Sequence, residues 1–185
     1  MRLGPRARLA LLVSLFLVPI IASVVAVAYL RPEPTANYGE LLLPPAAITA
    51  QRFARAGGGD FAFAEVRGRW VLVASDAGAC EAACREKLAA MRQVRLALGR
   101  NAARVERVFV ADDLQPPGAG MASFEGMVAA IPLRGTGQPP GATHDREHIY
   151  LVDPAGSVMM RWPSRPDPRR MLKDLERLLK ASQIG

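Results

Sequence analysis

Trp70-Val71-Leu72-Val73-Ala74-Ser75-Asp76-Ala77-Gly78-Ala79-Cys80-Glu81-Ala82-Ala83-Cys84 is the stretch on which the reading of this chain turns. Trp70 to Ser75 is a short apolar run launched from Arg67-Gly68-Arg69, the pattern of a strand buried on both faces. After Cys84, Arg85-Glu86-Lys87-Leu88 opens an amphipathic segment in which Leu88, Met91, Val94, Leu96 and Leu98 recur at spacings near three and four. A helix is therefore expected from Cys84 to about Leu98, closed by Gly99. The chain's only two cysteines thus sit where a buried strand hands over to a helix. A spacing of four places both sulfurs on one helical face. The free amides and dipole of a helix start favour the thiolate, the form that binds metal or attacks disulfides.

Moving outward, Arg104 to Asp112 is expected as a second strand and Ile149 to Val152 as a third. The turn Asp153-Pro154-Ala155-Gly156 joins the third strand to a hairpin partner, Ser157 to Trp162. Pro166-Asp167-Pro168 opens a last helix, along which Met171, Leu172, Leu175, Leu178 and Leu179 form an i, i+3, i+4 stripe. Phe61 to Val66 reads as a short strand or turn, Met121 to Ile131 as the place for a further helix, and Gly135 to Gly141 as a loop long enough to act as a flap. This order predicts an α/β fold with a mixed central sheet flanked by helices. In such sheets reactive groups collect at the C-terminal ends of strands, where the cysteines lie. Trp70, Phe109, Tyr150 and Trp162 fall in apolar strand segments and read as packing.

Toward the N-terminus, Arg2, Arg6 and Arg8 precede an uncharged apolar run from Leu9 to Leu30. At about 1.5 Å per residue that run spans a hydrocarbon layer of roughly 30 Å. The expected organisation is a cytoplasmic tail at 1–8, a transmembrane helix at 9–30, a linker and domain edge at 31–59, and a folded domain at 60–185. Pro32, Pro34, Pro44, Pro45 and Gly57 to Gly59 make the linker too broken for long regular structure. The arginine bias predicts a single pass through the inner membrane with the C-terminal domain on the periplasmic side. A cleavable signal competes, because Ala26-Val27-Ala28 has the small-residue cleavage pattern, yet the run exceeds the roughly 7 to 15 apolar residues usual for one. The cysteines then face an oxidising compartment.

The formal charge is +7, but Arg2, Arg6, Arg8 and Arg31 flank the apolar run, which leaves +3 elsewhere. The other basic residues alternate with acids, as in Asp174-Leu175-Glu176-Arg177, a solvated face rather than a phosphate-binding stripe. Nucleic acid is excluded as a partner.

Two thiols at a helix start support three chemistries: a metal clamp, a redox disulfide or a static crosslink. Cu(I) prefers thiolate and imidazole in low coordination numbers, and the only histidines, His144 and His148, both lie just before the third strand. In the redox reading Cys80 attacks a partner disulfide and Cys84 resolves the mixed intermediate. As a static crosslink so short a loop gains little. Asp112-Asp113, at a strand end, read either as turn residues or as hydrogen-bond partners of the site.

The apolar N-terminal run, Trp70 to Ser75 leading into C-x-x-x-C, and Ile149-Tyr150-Leu151-Val152-Asp153-Pro154-Ala155-Gly156 together resemble the Sco/SenC group, over most of Phe61 to Ser182. The resemblance implies a thioredoxin-like fold and a membrane-anchored assembly factor for cytochrome c oxidase. It implies Cu(I) held by Cys80, Cys84 and either His144 or His148 and delivered to the oxidase copper site, or reduction of that site, with a copper-accepting oxidase subunit as partner. The chain departs from the group where Asp145 stands five residues before the strand tyrosine, the usual place of the histidine, and where Glu81 and Arg85 stand in place of prolines. A periplasmic thiol-disulfide oxidoreductase without metal is the alternative.

Overall fold

The computed structural model describes residues 4–29, 37–48, 51–118, 121, 124–133 and 141–182. Its contacts divide the chain into two units, Met1–Ala36 and Asn37–Gly185. Among its described residues the first holds one helix, α1 (Pro5–Tyr29), with Pro19 inside it. Its apolar side chains from Leu11 to Val25 are exposed. Among the described residues no helix is long and apolar enough to cross a membrane. The transmembrane helix expected at 9–30 therefore stays an expectation.

The second unit is an α/β domain. In chain order it contains β1 (Glu40–Ala47), β2 (Arg52–Arg55), β3 (Asp60–Ala62), β4 (Trp70–Asp76), α2 (Ala82–Ala97), β5 (Val105–Ala111), β6 (Val128–Pro132), β7 (His148–Val152), β8 (Ser157–Pro163) and α3 (Pro168–Ala181). The strands form one mixed sheet in the order β1-β8-β7-β4-β5-β6-β2-β3. β4 runs parallel to β5 and β5 to β6, and the other pairs are antiparallel. β4 lies at the centre, and its period-two alternation feeds two cores. Leu72 and Ala74 join Leu88, Met91, Met171 and Leu175 on the face covered by α2 and α3. Val71 and Val73 join Phe53, Phe61, Phe63, Val108 and Tyr150 on the other. This double burial is why β4 reads as an unbroken apolar run.

Two expectations are corrected. Residues 31–59 carry the strands β1 and β2 despite their prolines. Pro44 and Pro45 are accommodated because β1 is an edge strand whose pairing with β8 shifts register between Leu41 and Ala46, so their missing N–H groups break no central ladder. The helix placed at Met121 to Ile131 is not formed where that stretch is described: residues 124–127 turn and lead into β6. Gly126, at φ 73°, breaks any helix there, and Val128 to Ile131 then pair with β5 and β2. Most of the flap read at Gly135 to Gly141 lies outside the described residues.

At the far end, Asp167 caps α3 by accepting from the amides of Arg169 and Arg170. Buried Asp174 on α3 accepts from the amides of Tyr38 and Gly39 and from Trp162 Nε1, at 3.1, 2.8 and 3.0 Å. That carboxylate fastens the start of the domain to the helical face.

Candidate functional site, a disulfide at the end of the central strand

Cys80 and Cys84 are joined as a disulfide with Cα atoms 5.1 Å apart, within the span such a bond bridges. They are brought together differently from expectation. α2 begins at Ala82 with Glu81 as its cap residue, so only Cys84 is helical. Cys80 ends the preceding turn in a left-handed conformation, φ 43°, with its amide donating to Ala77 O at 2.9 Å. The tight turn, rather than one helical face, aims Cys80 at the first turn of α2. Both residues are nearly inaccessible, Cys80 at 4% and Cys84 at 1% exposure, and both belong to the α2-side core.

The turn is fastened on both sides. Arg85 Nη1 donates to Cys80 O at 2.9 Å. Asp113, just past β5, accepts from the Gly78 and Gln115 amides on one oxygen, each at 3.0 Å. The Gly78 hydrogen bond holds the Asp113 carboxyl below its ordinary range. Its neighbour Asp112 forms a bidentate ion pair with Arg146, one arm Nε to Oδ2 at 2.8 Å. Of the two acids, then, Asp113 serves the cysteine turn and Asp112 the segment that carries the histidines.

That segment, 143–148, crosses the same end of β4. Ser75 Oγ donates to Asp145 O at 2.9 Å. Lys87, fully buried on α2 three residues after Cys84, donates through Nζ to Ser75 O at 2.8 Å, Asp76 Oδ2 at 3.0 Å and Arg146 O at 2.9 Å. Its three protons tie the cysteine helix, the end of the central strand and the histidine segment together. An open polar cleft of about 420 Å³, lined by Asp76, Ala83, Lys87, Arg146, Glu147 and Arg165, lies alongside.

The two histidines are not drawn onto the sulfurs. His148 Nδ1 lies 2.7 Å from Asp145 Oδ2, and Tyr150 Oη donates to the same oxygen at 2.6 Å. Burial pushes the Asp145 carboxyl up, but the hydrogen bonds from Tyr150, the Glu147 amide and His148 outweigh it and hold the group below its ordinary value. Burial, and after it the bond to Asp145, pushes the Tyr150 hydroxyl up to about 12. His144 is exposed, with Nδ1 3.4 Å from Thr143 Oγ1. Among the described residues no group of three or more His, Cys, Asp and Glu side chains is placed to hold a metal ion. As arranged, with the sulfurs spent on each other and His148 turned to Asp145, these residues do not fit a three-ligand copper centre.

Asp113, one of the two acids read as turn residues or hydrogen-bond partners of the site, takes the second role; Lys87, the carboxylate of Asp145 and the hydroxyl of Tyr150 were missing from the site drawn from sequence. A signal existed for Lys87, which lies on the stripe Cys84, Leu88, Met91, Val94 where a helix faces its core. None existed for Asp145, whose partners are set by the path of the segment.

A central parallel strand pair, a cysteine pair at its C-terminal end and a helix starting from that pair define a thioredoxin-like thiol protein. The family model described as "Transmembrane-like, thioredoxin-like, C-terminal domain" matches residues 70–182, and the chain belongs to that family. No curated protein matches it in sequence. Among solved structures, it is similar to yeast Sco1 with copper bound (12% identity, TM-score 0.60, covering 80% of this chain and 96% of that one). It is also similar to a SCO1/SenC family lipoprotein from Bacillus anthracis str. Ames (15%, 0.55, 75% and 99%). A third is the thioredoxin domain of a thiol-disulfide oxidoreductase from Bacteroides vulgatus (16%, 0.54, 74% and 99%). At these identities the likeness establishes a shared fold, the thioredoxin-like fold of the Sco/SenC proteins.

Proposed function

We propose that this chain is a membrane-anchored, Sco-like assembly factor for cytochrome c oxidase that works by thiol-disulfide exchange at the oxidase copper site. The observation that carries the reading is the Cys80–Cys84 disulfide at the C-terminal end of β4. The Sco-type neighbours support the assembly role, and the Bacteroides oxidoreductase shows the same fold in a protein named for thiol chemistry. In the working direction the reduced pair attacks a disulfide in a copper-accepting subunit, the mixed disulfide is resolved by the second thiol, and Cys80–Cys84 closes. Two electrons and two protons pass to the partner, which is left with the two thiols that copper needs. Residues 9–30 anchor the chain in the inner membrane, and the domain stands on the periplasmic side, where a disulfide persists.

A second reading is favoured by the copper-bound state of yeast Sco1. Here Cu(I) is held by Cys80 and Cys84 after reduction, with His148 or His144 as a third ligand. In the arrangement described, His148 is turned to Asp145 and His144 lies beside Thr143. The two readings separate in the native host on a background lacking this gene, with oxidase copper absorbance as the readout. The exchange reading predicts that Cys80→Ser with Cys84→Ser abolishes assembly while His144→Ala with His148→Ala retains it. Loss of assembly in the histidine variant, together with loss of Cu(I) binding, would move the function to copper carriage.

A further inference from the structure

With Cys80 at 4% and Cys84 at 1% exposure, no reductant or partner thiol reaches sulfur until something moves. Segment 113–118 lies directly on the turn that leads to Cys80. The Gly118 amide donates to Gly78 O at 3.0 Å, and Asp113 holds the amides of Gly78 and Gln115 together. The contact is tight enough that a Cβ on Gly78 would lie 2.5 Å from the Gln115 carbonyl oxygen and 3.0 Å from that of Pro116. Among the described residues the non-glycine residues at positive φ are Cys80, at 43°, and Leu114, at 62°. They sit in the two turns that Asp113 ties to each other. Left-handed backbone is disfavoured at a side chain with a Cβ, so both halves of the contact are held against their own preference.

We infer that segment 113–118 is a latch on the cysteine turn, fastened by Asp113, and that its release is the step that admits a thiol to the disulfide. Asp113 is a positioning residue in this scheme and touches no reacting atom. The segment is suited to local opening because Asp113, Gln115 and Pro116 are solvent-exposed and their contacts with the turn are hydrogen bonds and backbone packing. The inference rests on the reading that the pair cycles between disulfide and dithiol.

The test uses the whole chain in detergent or bilayer, with dithiothreitol as the probe. Its two thiols transfer two electrons and two protons to Cys80–Cys84 and close to their own cyclic disulfide. The rate is followed by alkylating the freed cysteines. Asp113→Ala is expected to speed reduction at least about tenfold, because two hydrogen bonds to a charged though solvent-exposed acceptor are lost. Gly78→Ala is expected to act in the same direction by steric displacement while the carboxylate stays in place. Asp113→Asn, which keeps an acceptor oxygen, is expected to stay within about twofold of the parent. Equal rates in the parent, Asp113→Ala and Gly78→Ala would overturn the latch. If Asp113→Ala fails to fold, Gly78→Ala carries the same comparison. A parent disulfide that dithiothreitol does not reduce at all would instead overturn the exchange function, so the two failures are distinct.

Discussion

The cysteine turn and the histidine segment meet at the same end of β4, yet they are fastened by different means. The cysteine turn, 76–84, is closed by a covalent bond and pressed into a left-handed residue, with Asp113 and Arg85 holding its backbone. The histidine segment, 143–148, is closed by side-chain polar contacts, with Asp145 taking His148 and Tyr150 and Arg146 taking Asp112. One region stores its chemistry in a bond that opens by electron transfer, while the other spends its polar groups on holding the segment to its neighbours. The contrast favours sulfur over imidazole as the working group of the site, and Lys87 is where the two regions are joined.

The hardest blow to both regions is Lys87→Met. It strips Asp76, Ser75 O and Arg146 O of a common donor within a buried network, and a loss of about 3 kcal/mol is expected on the usual scale for breaking a buried pair, read from denaturant unfolding. A cost below about 0.5 kcal/mol would show that the surface tolerance usual for lysine applies here, and the two regions would then be independent. Removing the crosslink with Cys80→Ser and Cys84→Ser is expected to cost about 2 kcal/mol or less, as the chain-entropy model gives for so short a loop. A larger cost would recast the bond as mainly structural.

The histidine segment has its own signature in pH. Because the folded Asp145 carboxyl lies below its unfolded value, its contribution is present above about pH 4 and is lost as pH falls through the folded value. In Asp145→Asn the stability lost as pH falls below about 4 should shrink relative to the parent, as measured by unfolding midpoints. An unchanged acid limb would mean that Asp145 does not hold the segment. The smallest effect belongs to Leu114→Asn, since Asn accepts the left-handed region more readily than Leu. The latch should close more firmly, and reduction by dithiothreitol should slow by about twofold.

Much of the fold was legible because the residues that build it repeat a simple period. The stripes from Cys84 to Val94 and from Met171 to Leu179 each name their element and its buried face, and the unbroken apolar run Trp70 to Ser75 names a strand buried on both. β6 was not legible, because Val128 to Ile131 is too short to show a period and only its pairing with β5 and β2 makes it a strand. β1 was hidden by its prolines, which only an edge position allows. At the site the cysteines stood out by chemistry alone. Their mutual geometry did not, since it depends on Cys80 leaving the helix for a left-handed turn, and Asp113 was legible as a strand-end acid beside the site but not for which amides it holds. Lys87 was masked by charged neighbours, although its register with Leu88 and Met91 pointed inward.

The most direct test of the account is the reduction potential of Cys80–Cys84 in the intact chain, equilibrated against graded thiol-disulfide buffers with alkylation as the readout. A working exchange couple is expected above about −300 mV, in the range of catalytic and regulatory disulfides. A value below that, among the inert bonds of secreted proteins, would contradict the proposal and leave the bond a structural crosslink.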